Sequence, residues 1–224
     1  MNPLISLLLT VARLSILSVL ISGVVMAEGQ RSPLPDPSSD ISRAKISRQQ
    51  TAVFAGGCFW GIEAVFRHVN GVISATSGYV GGAAKTANYE QVSSGTSGHA
   101  ESVQVVYNPQ KISYGQLLKI FFAVAHNPTE LNRQGPDHGT QYRSAIFTSD
   151  DNQRRVALAY IKQLQQKRIF SGPIVTQVQP LPAFYPAEAY HQNYLAQHLT
   201  QPYIVRYDLP KLQHLREQFP TLYR

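Results

Sequence analysis

The stretch Thr51-Ala52-Val53-Phe54-Ala55-Gly56-Gly57-Cys58-Phe59-Trp60-Gly61 organises the reading of this chain. Five residues with short or apolar side chains, closed by Gly-Gly, read as a buried strand. Downstream, Ile62, Val65, Phe66 and Val69 keep helical spacing, and Asn70-Gly71 stops that helix. Between strand and helix stands Cys58, the single cysteine of a 224-residue chain. It has no internal disulfide partner, so it is either a small buried hydrophobe or a reactive thiol. Its setting favours reactivity. The glycines allow a sharp turn. Unpaired N–H groups at a helix start stabilise a thiolate. Phe59 and Trp60 offer an apolar wall suited to a methyl or thioether group.

Working outward, more elements follow. Residues 72–80 read as a strand ending in Gly-Gly, and 83–98 as a polar loop containing Tyr89. Residues 102–107 are a strand with Val103 and Val105 on one face and Val106 on the other. Ser113 caps a helix through Ala125. Residues 127–140 form a loop and 141–148 a strand. Ser149 or Asp150 starts a helix to about Lys167. A strand at 174–178 and a helix at 187–199 complete the set. Strands and helices intermix without regular alternation, which predicts an α+β fold.

The N-terminus reads differently. In residues 1–27 only Arg13 is charged, and Leu14 to Val25 is an apolar run followed by Met26-Ala27. This is the layout of a cleaved signal peptide, with an uncleaved anchor as the alternative. A secreted or periplasmic location follows. Residues 28–50, rich in Ser, Pro, Asp and Arg, read as a flexible linker, leaving a catalytic domain over 51–224. The net charge of +7 is spread thinly, with no basic stripe interleaved with aromatics, so nucleic acid is not expected. Seven scattered histidines show no metal spacing (His191 and His198 share the expected helix two turns apart), and no metal site is expected. No phosphate-binding glycine motif is present.

Two other segments hold candidate acid–base groups. Glu101, in Gly98-His99-Ala100-Glu101, stands where an apolar strand begins. Burial there would raise its pKa and keep it a proton donor, yet taken alone it reads first as an ordinary exposed glutamate. The run Gly135-Pro136-Asp137-His138-Gly139-Thr140-Gln141-Tyr142-Arg143 fits a functional loop or a structural turn equally well.

Taken together, these blocks resemble the A-type peptide methionine sulfoxide reductases. Gly57-Cys58-Phe59-Trp60-Gly61 is similar to the family signature. Gly78-Tyr79-Val80-Gly81-Gly82, Asn88-Tyr89-Glu90-Gln91-Val92, Gly95 to Glu101, Gly135 to Ser144 and Ala187-Glu188-Ala189-Tyr190-His191-Gln192 follow in family order. The resemblance covers Thr51 to Arg224. It implies a single α+β domain, a two-layer sandwich with ferredoxin-like elements around a mixed sheet. It implies Cys58 as the nucleophile on the sulfoxide sulfur and Glu101 as the acid on its oxygen. By the same resemblance Tyr89 and Tyr142 hydrogen-bond that oxygen, Phe59 and Trp60 hold the substrate methyl, and Asp137 lines the site. The substrate is then methionine-S-sulfoxide, free or in proteins.

The tail Gln201 to Lys211 lacks the resolving cysteine of many members, so the chain resembles the single-cysteine ones. No bound cofactor is implied. A Cys58 sulfenic acid would need an external thiol: a thioredoxin-like protein, glutaredoxin with glutathione, or dithiothreitol. A monomer is expected. A one-cysteine thiol peroxidase and a tyrosine-rich binding module are the competing readings.

Overall fold

The structure, a computed structural model, describes residues 34–41 and 49–224. The expected signal segment and the rest of the expected linker lie outside these residues.

Strand β1 (Gln50–Gly56) leads into helix α1 (Phe59–Arg67) and strand β2 (Val72–Val80). Helix α2 (Tyr89–Ser93), strand β3 (Ala100–Tyr107) and helix α3 (Tyr114–Ile120) follow. A two-stranded hairpin, β4 (Arg133–Gln134) and β5 (Asp137–His138), precedes β6 (Ser144–Thr148) and helix α4 (Asp151–Gln166). Strands β7 (Gln177–Pro180) and β8 (Phe184–Pro186) and helices α5 (Tyr194–Gln197) and α6 (Leu209–Gln218) end the chain. The main sheet has the order β7-β6-β1-β3-β2-β8. Only β6 and β7 pair in parallel; the other neighbours are antiparallel. With β1, β2, β3 and β6 counted as first to fourth, the central order is 4-1-3-2. That is a ferredoxin-like β-α-β-β-α-β unit, with α1 and α3 as its crossover helices.

Alternation along β1 explains why its run is apolar on both faces. Ala52 and Phe54 point into the large core with Ile62, Phe66, Val103, Val105, Ile146 and Tyr160. Val53 and Ala55 point the other way, against Val80, Ala100, Ala145, Phe147 and the covering Leu181 and Phe184. The Phe54 ring stacks between Phe66 (5.1 Å) and Phe121 (4.9 Å), joining the sheet to α1 and to the π-helical turn that follows α3.

Several sequence expectations change. The loop over 83–98 contains α2, capped by the Asn88 side chain, which accepts from the Gln91 N–H. Residues 140–142 form a 3₁₀ turn, so the strand expected from 141 starts at Ser144. The strand placed at 174–178 is β7, three residues later. The helix expected over 187–199 is broken: Ala189–His191 is 3₁₀, Asn193 is left-handed (φ 53°), and only Tyr194–Gln197 is α-helical. Long-range hydrogen bonds take the place of helical ones. The Asn193 N–H donates to both Glu63 carboxylate oxygens, and the Gln192 amide bonds both N–H and C=O of Ser77. His191 and His198 therefore do not share a helix face. Helix α6 had no counterpart in the sequence reading.

The flexible linker expected over 28–50 does not hold for residues 34–41. Leu34 is 4% exposed and joins the main core. The Tyr160 hydroxyl donates to the Pro35 carbonyl, and the Gly115 N–H donates to the Asp40 carboxylate. Lys119 pairs with Asp36 at 2.8 Å. The segment lacks regular structure yet is fastened to α3 and α4. Among the described residues, no helix is long and apolar enough to cross a membrane.

Candidate active site

The β1–α1 turn places the thiol. Gly57 adopts φ 101°, a region that L side chains avoid, and a Cβ there would lie 2.5 Å from the Gln134 side chain. Gln134 is itself fixed, exchanging hydrogen bonds with the Asn127 backbone (2.6 and 3.0 Å). Cys58 is the N-cap of α1 and is 8% exposed. The Trp60 N–H favours its thiolate, as a helix start should. Burial, Glu101 and Asp208 outweigh that donor, and the thiol pKa lies well above its ordinary value. Packing thus makes Cys58 harder to ionise than its place at the helix start would by itself.

Glu101 lies beside it. β3 carries it inward opposite Tyr79 of β2, and it is 2% exposed. The Phe59 N–H donates to its Oε2 at 3.0 Å. Burial nevertheless pushes its pKa up to about 8, with Asp137 adding to the rise and the Phe59 donor opposing it. The buried-acid reading holds and the exposed-glutamate reading fails. At neutral pH this carboxyl carries a proton.

The two tyrosines arrive from separate loops that are stitched together. The Glu188 carboxylate accepts from the Tyr79 hydroxyl (2.8 Å) and the Tyr89 N–H (2.9 Å), anchoring the start of α2 to the sheet. The Thr140 hydroxyl donates to the Gly95 carbonyl and the Gln141 amide to the Ser93 carbonyl, which fastens the 3₁₀ turn to the end of α2. Tyr89 and Tyr142 are both partly buried. The pKa of each rises through burial and then through Glu101, and both also feel Cys58 and Asp137. They remain hydroxyl donors. Asp137, from β5, accepts a very short hydrogen bond from the Tyr203 hydroxyl. Burial raises the Asp137 pKa against the lowering effects of that bond and of Lys211.

The aromatic wall is split. Phe59 has no accessible surface; it lies under the site against Tyr79 and His191. Of the expected pair, Trp60 alone presents an open face. Its indole N–H donates to His191 Nδ1 (3.1 Å), and its ring stacks on Tyr194 at 3.8 Å with Tyr203 set edge-on. Burial lowers the His191 pKa, so the ring is neutral and its proton sits on Nε2, which is buried without a partner. Thus the other six sequence candidates lie in the same region as Cys58. Sequence reasoning missed Tyr203, Tyr194, Asp208 and Lys211, and assigned no role to Glu188 or His191. The last two lie in a block it had marked, whereas the tail offered only its lack of a thiol. Among the described residues, no group of three or more His, Cys, Asp or Glu side chains is placed to hold a metal ion.

A buried protonated carboxyl, two tyrosine hydroxyls and an apolar ring around one thiol suit a substrate with a polar oxygen on an apolar sulfur. A family model described as "Peptide methionine sulfoxide reductase" matches residues 50–222. The chain belongs to that family. It is 56% identical over 174 residues to peptide methionine sulfoxide reductase MsrA 2 of Mesorhizobium japonicum, covering 78% of this chain and 89% of that one. It is 51% identical over 188 residues to MsrA 2 of Synechocystis sp., covering 83% and 88%.

Solved structures share the fold. Reduced Mxr1 from Saccharomyces cerevisiae superposes with a TM-score of 0.63 at 33% identity, covering 69% of this chain and 88% of that one. Methionine sulfoxide reductase A of Corynebacterium diphtheriae superposes with a TM-score of 0.60 at 32% identity, covering 75% and 84%. Like its family, the chain is an oxidoreductase acting on sulfur: it reduces methionine sulfoxide to methionine and so repairs oxidised proteins.

Proposed function

We propose that Cys58 attacks the sulfur of methionine-S-sulfoxide, free or in a protein, while Glu101 protonates the sulfoxide oxygen. The observation that supports this reading is the buried Glu101 carboxyl beside the thiol, with a pKa of about 8. A group with a pKa near the working pH is a competent general acid. Tyr89 and Tyr142 donate hydrogen bonds to the same oxygen, and Trp60 holds the methyl group. Phe59 supports that pocket from below, and Asp137 with Tyr203 closes its polar side.

As the oxygen gains its proton from Glu101, the thiol releases its own to the carboxylate just formed. Attack forms a bond from Cys58 Sγ to the methionine sulfur. As that S–S bond breaks, the hydroxyl passes from the methionine sulfur to Cys58, the methionine S–O bond is lost, and methionine leaves. Cys58 is oxidised to the sulfenic acid and the substrate sulfur is reduced by the same two electrons. Two external thiol groups then restore Cys58, giving a disulfide and water. A thioredoxin-like protein, glutaredoxin with glutathione, or dithiothreitol supplies them, because the chain has no second cysteine. The enzyme acts as a monomer in a secreted or periplasmic setting, reached through residues 1–27 as a signal peptide. Fractionation of cells expressing the full chain, with N-terminal sequencing of the mature form, tests that location.

The chemical reading is tested by giving each sulfoxide epimer to the enzyme without reductant and trapping sulfenic acid with a 1,3-dione. One methionine and one trapped adduct per chain, from the S epimer only, is the expected result. Turnover by Cys58→Ser, or preference for the R epimer, would sink it.

A further inference from the structure

The C-terminal segment sets an ion pair against the first turn of α1. One turn of π-helix over Ile204–Asp208 ends at Asp208, and Pro210 in the first turn of α6 suits that helix start. Lys211 Nζ lies 3.0 Å from Asp208 Oδ1. Asp208 has a side-chain exposure of 0% and Lys211 one of 21%. The pair packs on Gly61: a Cβ there would run into Asp208 Oδ1 and lie 2.8 Å from Lys211 Nζ. Gly61 is the third residue of the helix that Cys58 caps. Asp208 Oδ2 is buried with no hydrogen-bond partner among the described residues.

Stability does not explain this placement. Desolvation offsets much of what a buried ion pair gains. At this helix N-terminus the dipole favours Asp208 and disfavours Lys211, so its effects on the pair oppose each other. The helix start on which the pair packs is the one that presents the reactive thiol. Lys211 favours the Cys58 thiolate and Asp208 disfavours it. The two act on Asp137 with the same opposed signs.

From this placement we propose that the Asp208–Lys211 pair sets how readily Cys58 ionises, both side chains serving as positioning residues that act through the thiol. This rests on Cys58 being the nucleophile. The C-terminal segment, with no cysteine to contribute, supplies a balanced charge pair to the site instead. The other groups around the thiol are Glu101 from β3, Tyr89 from α2, Tyr142 from the 3₁₀ turn, Asp137 from β5 and Tyr203 from the C-terminal segment.

The experiment follows alkylation of Cys58 by iodoacetamide against pH in the full-length protein, with no sulfoxide present. In Lys211→Met the midpoint rises and alkylation at neutral pH slows. In Asp208→Asn the midpoint falls and alkylation quickens. Lys211→Arg and the double variant stay near the parent. Shifts of the same sign in the two single variants, or no shift, would overturn the proposal. Should Lys211→Met not fold, an Asp208→Asn midpoint that does not fall decides against it. Because alkylation reads the thiol directly, this outcome is separate from failure of the catalytic reading, which Cys58→Ser turnover reports.

Discussion

The Phe59 N–H donates to Glu101 Oε2 across 3.0 Å, tying the acid of β3 to the helix start that presents Cys58. This donor favours a carboxylate, yet burial dominates and the group titrates near pH 8. Activity with dithiothreitol should therefore fall as pH rises through about 8, once the thiol reductant's own ionisation is corrected for. Glu101→Gln should lower kcat/KM by about 10²–10⁴ and remove that descending limb. An unchanged limb in the variant would assign it to another group.

The same carboxyl has a stability consequence. Its folded pKa of about 8 lies above the ordinary value of 4.5, so between those values the folded state holds a proton that the unfolded state has lost. Stability is full below about 4.5 and declines as pH rises through about 8. A shift of this size corresponds to about 5 kcal/mol. Denaturant unfolding from pH 5 to 9 should show the decline in the parent and a flatter profile in Glu101→Gln.

His191 and Trp60 allow binding to be separated from chemistry. His191→Phe keeps a buried ring while removing both the acceptor for the indole and the orphaned Nε2 donor. The two losses oppose each other in stability, so the unfolding midpoint should move little. A freed indole gives up about 1–1.5 kcal/mol of orientation, so KM should rise roughly tenfold with kcat less affected. A fall in kcat at constant KM would exclude Trp60 as the substrate wall.

Much of this was legible in the sequence, for identifiable reasons. The strand, turn and helix around Cys58 follow from apolar run, glycine pair and 3.6-residue spacing, all local signals. Side-chain caps at Ser113 and Asp150 fixed the starts of α3 and α4. The segment over 187–199 failed because its backbone is set by distant partners: Glu63 takes the Asn193 N–H, and Ser77 pairs with the Gln192 amide. Those contacts span 130 and 115 residues and leave no local trace. Burial of Glu101 and Asp208 is likewise a product of packing. For that reason the balance of charges at Cys58, and the upward push on its thiol, could not be read from helix position alone.

The docked segment 34–41 yields a prediction about stability without activity. Its hydrogen-bond partners include Gly115 and Lys119 of α3 and Tyr160 and Gln163 of α4, which carry none of the site side chains. Leu34 fills the core beneath it. Leu34→Ala should cost about 2–4 kcal/mol through lost burial and a cavity. For a chain of this size each kcal/mol moves Tm by about 2–4 °C. Calorimetry should thus show a drop of roughly 4–16 °C, with kcat and KM at 25 °C unchanged. A Tm within about 2 °C of the parent would mean that the segment rests on the domain without contributing to its core.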